Sequence, residues 1–136
     1  MSEPVRVIPF ERVRMRDLAQ VGGKNASLGE MIGELASAGI RVPGGFATTA
    51  HAFREFLEYN DLRTRIEHAL ESLDVADVRA LTQAGATIRG WVAGARLPPK
   101  LVEEIERHYR ALVGGDAEAS FAVRSSATAE DLPDAS

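Results

Sequence analysis

The stretch VGGKNASLGEMI, Val21 to Ile32, opens the best-marked helix of the chain and sets up its chemistry. Leu28, Ile32 and Leu35 recur at helical spacing with Met31 alongside, which predicts a helix from about Asn25 to Ala38. Gly39 stands where a C-terminal stop belongs, and Pro43 prevents a restart. Ahead of the helix, Gly22 and Gly23 permit close backbone approach, the helix start offers N–H groups, and Lys24 adds a full positive charge. Together these make a corner suited to phosphate. It is not a Walker A loop, because the GxxxxGK[ST] spacing is absent. Glycine pairs before helices also serve as plain tight turns, so both readings stand.

A second stretch, FAVRSSATAEDLPDAS from Phe121 to Ser136, points the same way. Phe121-Ala122-Val123 reads as the end of a buried strand. Arg124 follows at once, then the hydroxyls of Ser125, Ser126 and Thr128. A guanidinium at a strand end beside small residues suits oxyanion binding, phosphate above all. A structural salt bridge would satisfy Arg124 equally well. Ser125 and Ser126 have no base near them in sequence, which makes them hydrogen-bond donors rather than nucleophiles. Nothing in the spacing brings Lys24 and Arg124 together.

Outward from these stretches the chain is rich in helices. Val5 to Phe10 predicts a short strand with Pro9 near its end, and Phe46 to Thr48 a second one after the Pro43-Gly44-Gly45 turn. Arg12 to Gln20 reads as irregular. Thr48 or Thr49 can cap a helix carrying Phe53, Phe56 and Leu57 inward. Asn60 or Asp61 is placed to cap the next, with Leu62, Ile66, Leu70 and Leu73 on one face, and Asp74 a third that runs past Trp91. Pro98-Pro99 opens a fourth, carrying Leu101, Val102, Ile105, Tyr109 and Leu112, which Gly114-Gly115 ends. The prediction is an α+β fold, helix-rich with three short strands and no internal domain boundary. Residues 50 to 113 read as helical packing material without chemistry.

Composition narrows the function classes. At 136 residues, with 45% hydrophobic and 26% charged residues, the chain has the balance of one folded domain or a piece of a larger one. A net charge of −4 with scattered basic residues leaves no footprint for nucleic acid. The absence of cysteine excludes disulfides, thiolate metal sites and a thiol nucleophile. No apolar run reaches membrane-spanning length, and the N-terminus lacks a signal-peptide hydrophobic segment, so a cytoplasmic location is expected. His51, His68 and His108 each fall in a predicted helix without a second ligand type at metal spacing, which makes them structural and leaves no predicted metal site. Glu103-Glu104 reads as a solvated helix face and Glu130-Asp131 as loop capping or salt bridging.

The motifs VGGKNASLGEMI, VPGGFATTAHAFREFL and FAVRSSATAEDLPDAS, with ADVRALTQAGATIRGWV between them, resemble the N-terminal nucleotide-binding domain of the phosphoenolpyruvate synthases (pyruvate, water dikinases), members of the PEP-utilising enzyme family. The similarity runs over nearly the whole chain. Pyruvate phosphate dikinase and rifampin phosphotransferase share versions of the glycine-lysine and arginine-serine motifs, while residues 75 to 113 favour the synthases.

The resemblance implies an ATP-grasp fold in which Lys24 and Arg124 contact the phosphates of ATP, flanked by Gly22, Gly23, Ser125 and Ser126, with Mg²⁺ sharing the charge. In that family ATP phosphorylates a histidine on a separate domain, which then phosphorylates pyruvate in a third, yielding phosphoenolpyruvate, AMP and phosphate. None of the three histidines here matches the phosphohistidine motif, so no catalytic residue is expected in this chain, and pyruvate would be reached only through domains it lacks. The family's magnesium ligands are likewise expected elsewhere. A homodimer of the parent enzyme is compatible with the resemblance. A truncated piece of such a synthase is therefore expected, inactive alone and weak in ATP binding, because part of the phosphate cradle is missing. The alternatives are a stand-alone binding or regulatory module derived from that domain, and a piece of a rifampin phosphotransferase-like dikinase.

Overall fold

In a computed structural model, which describes residues 4–116 and 118–129, the elements follow in the order β1 (Val7–Pro9), two 3-10 turns (Phe10–Arg12 and Met15–Asp17), α1 (Leu18–Val21), α2 (Gly23–Ser37), β2 (Phe46–Thr48), α3 (Ala50–Tyr59), α4 (Leu62–Glu71), α5 (Val78–Gly94) and α6 (Pro99–Val113). This is a helix-rich α+β chain, as its sequence predicts. Glu130-Asp131 and the rest of the Asp131 to Ser136 loop lie outside the described residues.

The chain divides into two compact units, residues 1–53 with 99–136, and residues 54–98, the division falling within α3. The sequence predicts no internal boundary. Its evenly spaced apolar positions register helices but do not show which helices share a core.

In the first unit, β1 and β2 pair antiparallel in the register Val7↔Thr48, Ile8↔Ala47 and Pro9↔Phe46. One cluster buries Val13, Val21, Ala26 and Ala47, with Ile8, Phe10 and Leu18 packed against it. Another buries Val7, Ala52 and Leu101, with Phe46 and Ile105 against it, so α6 closes over the strand pair. Thr49 is the cap of α3. Its buried hydroxyl accepts from the Ala52 amide at 3.1 Å and donates to the Val5 carbonyl at 2.7 Å, tying the helix start to β1.

Helix α2 begins at Gly23, two residues before the predicted start, and ends at Ser37, one residue before the predicted end. Gly39, at φ 80°, donates to the Ala36 carbonyl at 3.1 Å, and Ile40 to that of Leu35 at 2.9 Å. This paired closure needs a residue that tolerates positive φ. The segment before α1 is not irregular: Arg14 donates from its amide to the Asp17 carboxylate at 2.9 Å and from its guanidinium to the Val13 carbonyl at 2.7 Å, and Met15 donates its amide to Glu30 at 3.0 Å. Gly29 lets this segment sit against α2, since a Cβ there would lie 2.6 Å from that of Val13.

The predicted third strand does not form. Phe121 to Val123 has no sheet partner among the described residues, and Val123 is 96% exposed. A strand needs a neighbouring ladder for its backbone groups, and here the ring of Phe121 rests on that of Tyr109 of α6, 5.2 Å between centroids.

In the second unit, two predicted caps are replaced. Asp61 precedes α4 in a left-handed conformation (φ 53°) without a side-chain cap. The Asn60 side chain instead donates to the carbonyls of Phe56 (2.9 Å) and Arg96 (2.8 Å) and accepts from the Arg96 amide at 3.1 Å. The cap of α5 is Asp77, which accepts from Ala80 at 3.1 Å, because Asp74 is used in a turn to Ala76 at 3.0 Å. The guanidinium of Arg65 lies over the half-buried Trp91 ring, 4.3 Å from its centroid.

Candidate functional site

The start of α2 holds the first half of the site. Gly22 has φ 84° and ψ 165°, a backbone region essentially confined to glycine. Its amide donates to the Leu18 carbonyl at 2.9 Å and its carbonyl accepts from Ala26 at 3.0 Å, so it ends α1 and starts α2 at once. The Asn25 side chain donates to the Val21 carbonyl at 2.9 Å and braces the same turn. Gly22 and Gly23 are buried, and Lys24 is exposed directly after them.

The second half is Arg124 to Ala127. The Gly23 amide donates to the Ala127 carbonyl at 3.2 Å. A Cβ on Gly22 would lie within 2.9 Å of both the nitrogen and the oxygen of Ala127, and against Ser126 Oγ. The glycine turn and the arginine-serine stretch, unrelated by sequence spacing, thus meet backbone to backbone. Arg124 and Ser125 are exposed just before the contact and Lys24 just after it on the other chain segment. Ser126 is half-buried, and its hydroxyl oxygen is sealed from solvent with no hydrogen-bond partner among the described residues. This oxygen is enclosed by the contact with Gly22 itself.

The chemistry available is anion binding. An exposed ammonium stands in the first turn of a 15-residue helix, where the helix dipole presents its positive end. A guanidinium and the hydroxyls of Ser125 and Ser126 belong to the stretch docked on that turn. Among the described residues, no three His, Asp or Glu side chains are grouped as a metal site. His108 is tied to the Glu104 carbonyl at 2.8 Å and stacks near Phe46, His68 is an exposed partner of Glu71 at 3.6 Å, and His51 is a half-buried residue of α3. No helix among the described residues is long and apolar enough to cross a membrane. The carbonyl of Ala127 is the site component that sequence did not announce, since any residue type can offer a backbone acceptor.

The glycine-lysine turn and the arginine-serine stretch thus form one cationic corner on a helix-rich α+β unit. Residues 18–136 match the pyruvate phosphate dikinase AMP/ATP-binding domain, and the chain belongs to that family. In particular, it is 56% identical over 130 residues to phosphoenolpyruvate synthase of Pseudomonas aeruginosa (strain UCBPP-PA14), which covers 96% of this chain and 16% of that protein. It is 57% identical over 132 residues to the synthase of Neisseria meningitidis serogroup B (96% of this chain, 17% of that protein) and 50% identical over 135 to that of Escherichia coli (strain K12) (99% and 17%). The chain therefore spans about a sixth of the length of the curated relatives it matches.

Proposed function

We propose that this chain is the N-terminal part of the ATP-binding domain of a phosphoenolpyruvate synthase, and that Lys24 and Arg124 hold the phosphates of ATP. The supporting observation is the contact that joins Gly22-Gly23 to Ser126-Ala127 and so gathers both cationic motifs on one corner. Ser125 and Ser126 add hydroxyl donors, and Gly22 and Gly23 let the backbone close up beneath them. Two fixed cations favour the charge that builds on the polyphosphate as a phosphoryl group leaves, which is the main task of a protein in such reactions.

The reaction of the parent would be ATP, pyruvate and water to AMP, phosphoenolpyruvate and phosphate, through a histidine outside this chain and an ATP-grasp lobe completed by later sequence. Magnesium would add charge neutralisation when bound; among the described residues no three His, Asp or Glu side chains are grouped to hold it. A cytoplasmic, gluconeogenic enzyme, homodimeric in its complete form, accords with this reading.

Titration of the isotope-labelled chain with Mg-ATP tests it. Backbone signals of residues 22 to 25 and 124 to 128 should shift together, and both Lys24→Ala and Arg124→Ala should weaken the response. Silence in both segments at millimolar nucleotide would overturn the reading for this chain.

A further inference from the structure

We infer that Gly22 and Gly23 are positioning residues: they dock the arginine-serine stretch onto the start of α2 and do not themselves offer donors to a ligand. The hydrogen bonds carry this. The Gly22 amide is spent on Leu18 at 2.9 Å and the Gly23 amide on Ala127 at 3.2 Å, so the two donors that a glycine turn would give an anion are already engaged inside the protein. Both residues are buried, whereas Lys24, Arg124 and Ser125 are exposed.

The absent side chain of Gly22 is what makes room. A Cβ would run into Ser126 Oγ and the Ala127 backbone, and the backbone cannot swing away as a long side chain could. The turn therefore works as a clasp. It sets where Arg124, Ser125 and Ser126 stand relative to Lys24, and the anion is met by side chains and the remaining first turn of α2. The inference rests on the nucleotide reading only for the identity of that anion, because the clasp itself is a property of the free chain.

Gly39 supplies the control. It has nearly the same φ, 80° against 84°, but nothing lies within 4 Å of its would-be Cβ. Gly39→Ala thus reports a Cβ at positive φ without a clash, whereas Gly22→Ala adds both the undocking and the further strain of ψ 165°, which Ser126→Val leaves out.

Amide hydrogen exchange followed by NMR is the test. In the wild-type chain the Gly23 amide should be protected without any nucleotide. Gly22→Ala should speed its exchange by about tenfold or more, as loss of one net hydrogen bond predicts, while Gly39→Ala should leave it within about threefold. Ser126→Val, which crowds the contact from the other side and keeps both glycines, should reproduce the Gly22→Ala effect at Gly23 and shift the signals of residues 124 to 128.

An unprotected Gly23 amide in the wild type would overturn the clasp whatever ATP does, and needs no variant to fold. Equal exchange in Gly22→Ala and Gly39→Ala would also overturn it. A protected Gly23 amide in a chain that ignores Mg-ATP would leave the clasp standing and remove the nucleotide reading instead.

Discussion

Gly29 of α2 faces Val13 so closely that a Cβ on the glycine would lie 2.6 Å from the valine Cβ and 2.6 Å from its carbonyl oxygen. Val13 is fully buried, so neither partner has space to yield. The segment that leads into α1 can lie on α2 only because this position of the helix carries no side chain.

Gly29→Ala should therefore destabilise the chain despite the better helix propensity of alanine. Overpacking of a buried contact costs about 1–3 kcal/mol, against about 1 kcal/mol gained from propensity. Gly90→Ala, in α5 with nothing within 4 Å, keeps the gain without the clash and should stabilise. Urea midpoints check both, and a midpoint for Gly29→Ala at or above wild type would refute the close contact.

Thr49→Val should cost about 1–2 kcal/mol, since it keeps the shape but removes the cap of α3 and leaves the Val5 carbonyl without its donor. Thr49→Ser should recover most of the loss. Denaturant titration of the pair separates the hydroxyl from the methyl group. If serine were as destabilising as valine, the cap would not be the source.

Asn60→Ala should loosen the second unit while sparing the first. The Asn60 side chain serves three backbone groups of residues 56 and 96, and the unit has few buried residues to compensate. Amides of α4 and α5 should exchange about tenfold faster or more, with α2 and α6 changed much less. A uniform rise across all helices would mean that the two units open together.

Arg124→Ala should leave folding intact, because the side chain is exposed, and the unfolding free energy from urea titration should change by no more than about 0.5 kcal/mol. If the proposed function holds, the same change in the full-length parent protein should lower AMP formation by about 10²–10³, the scale for a lost charge-stabilising donor. Near-normal AMP formation would take Arg124 out of the phosphate site.

Much of this could be read from the chain before it was folded. Helical periodicity placed α2 through α6 to within a few residues, with Gly39 and Pro99 marking a stop and a start. These signals are local: a face repeats every three or four residues, and a glycine or proline permits or forbids a particular φ. Lys24 and Arg124 stood out for the same reason, since a charge beside small residues is a local pattern, though one that a tight turn or a salt bridge would also produce.

Sequence was silent wherever the decision belonged to partners distant along the chain. Phe121 to Val123 has the residues of a strand, but a strand exists only when another ladder is beside it, and the Phe121 ring found Tyr109 instead. Thr49 rather than Thr48 became the cap because the Val5 carbonyl was within its reach. Above all, nothing in the glycine turn or the arginine-serine stretch says that they touch. Sequence by itself determined which residues are candidates for a phosphate; only the tertiary structure, by closing the Gly23 amide on the Ala127 carbonyl, decided that the two halves share one corner.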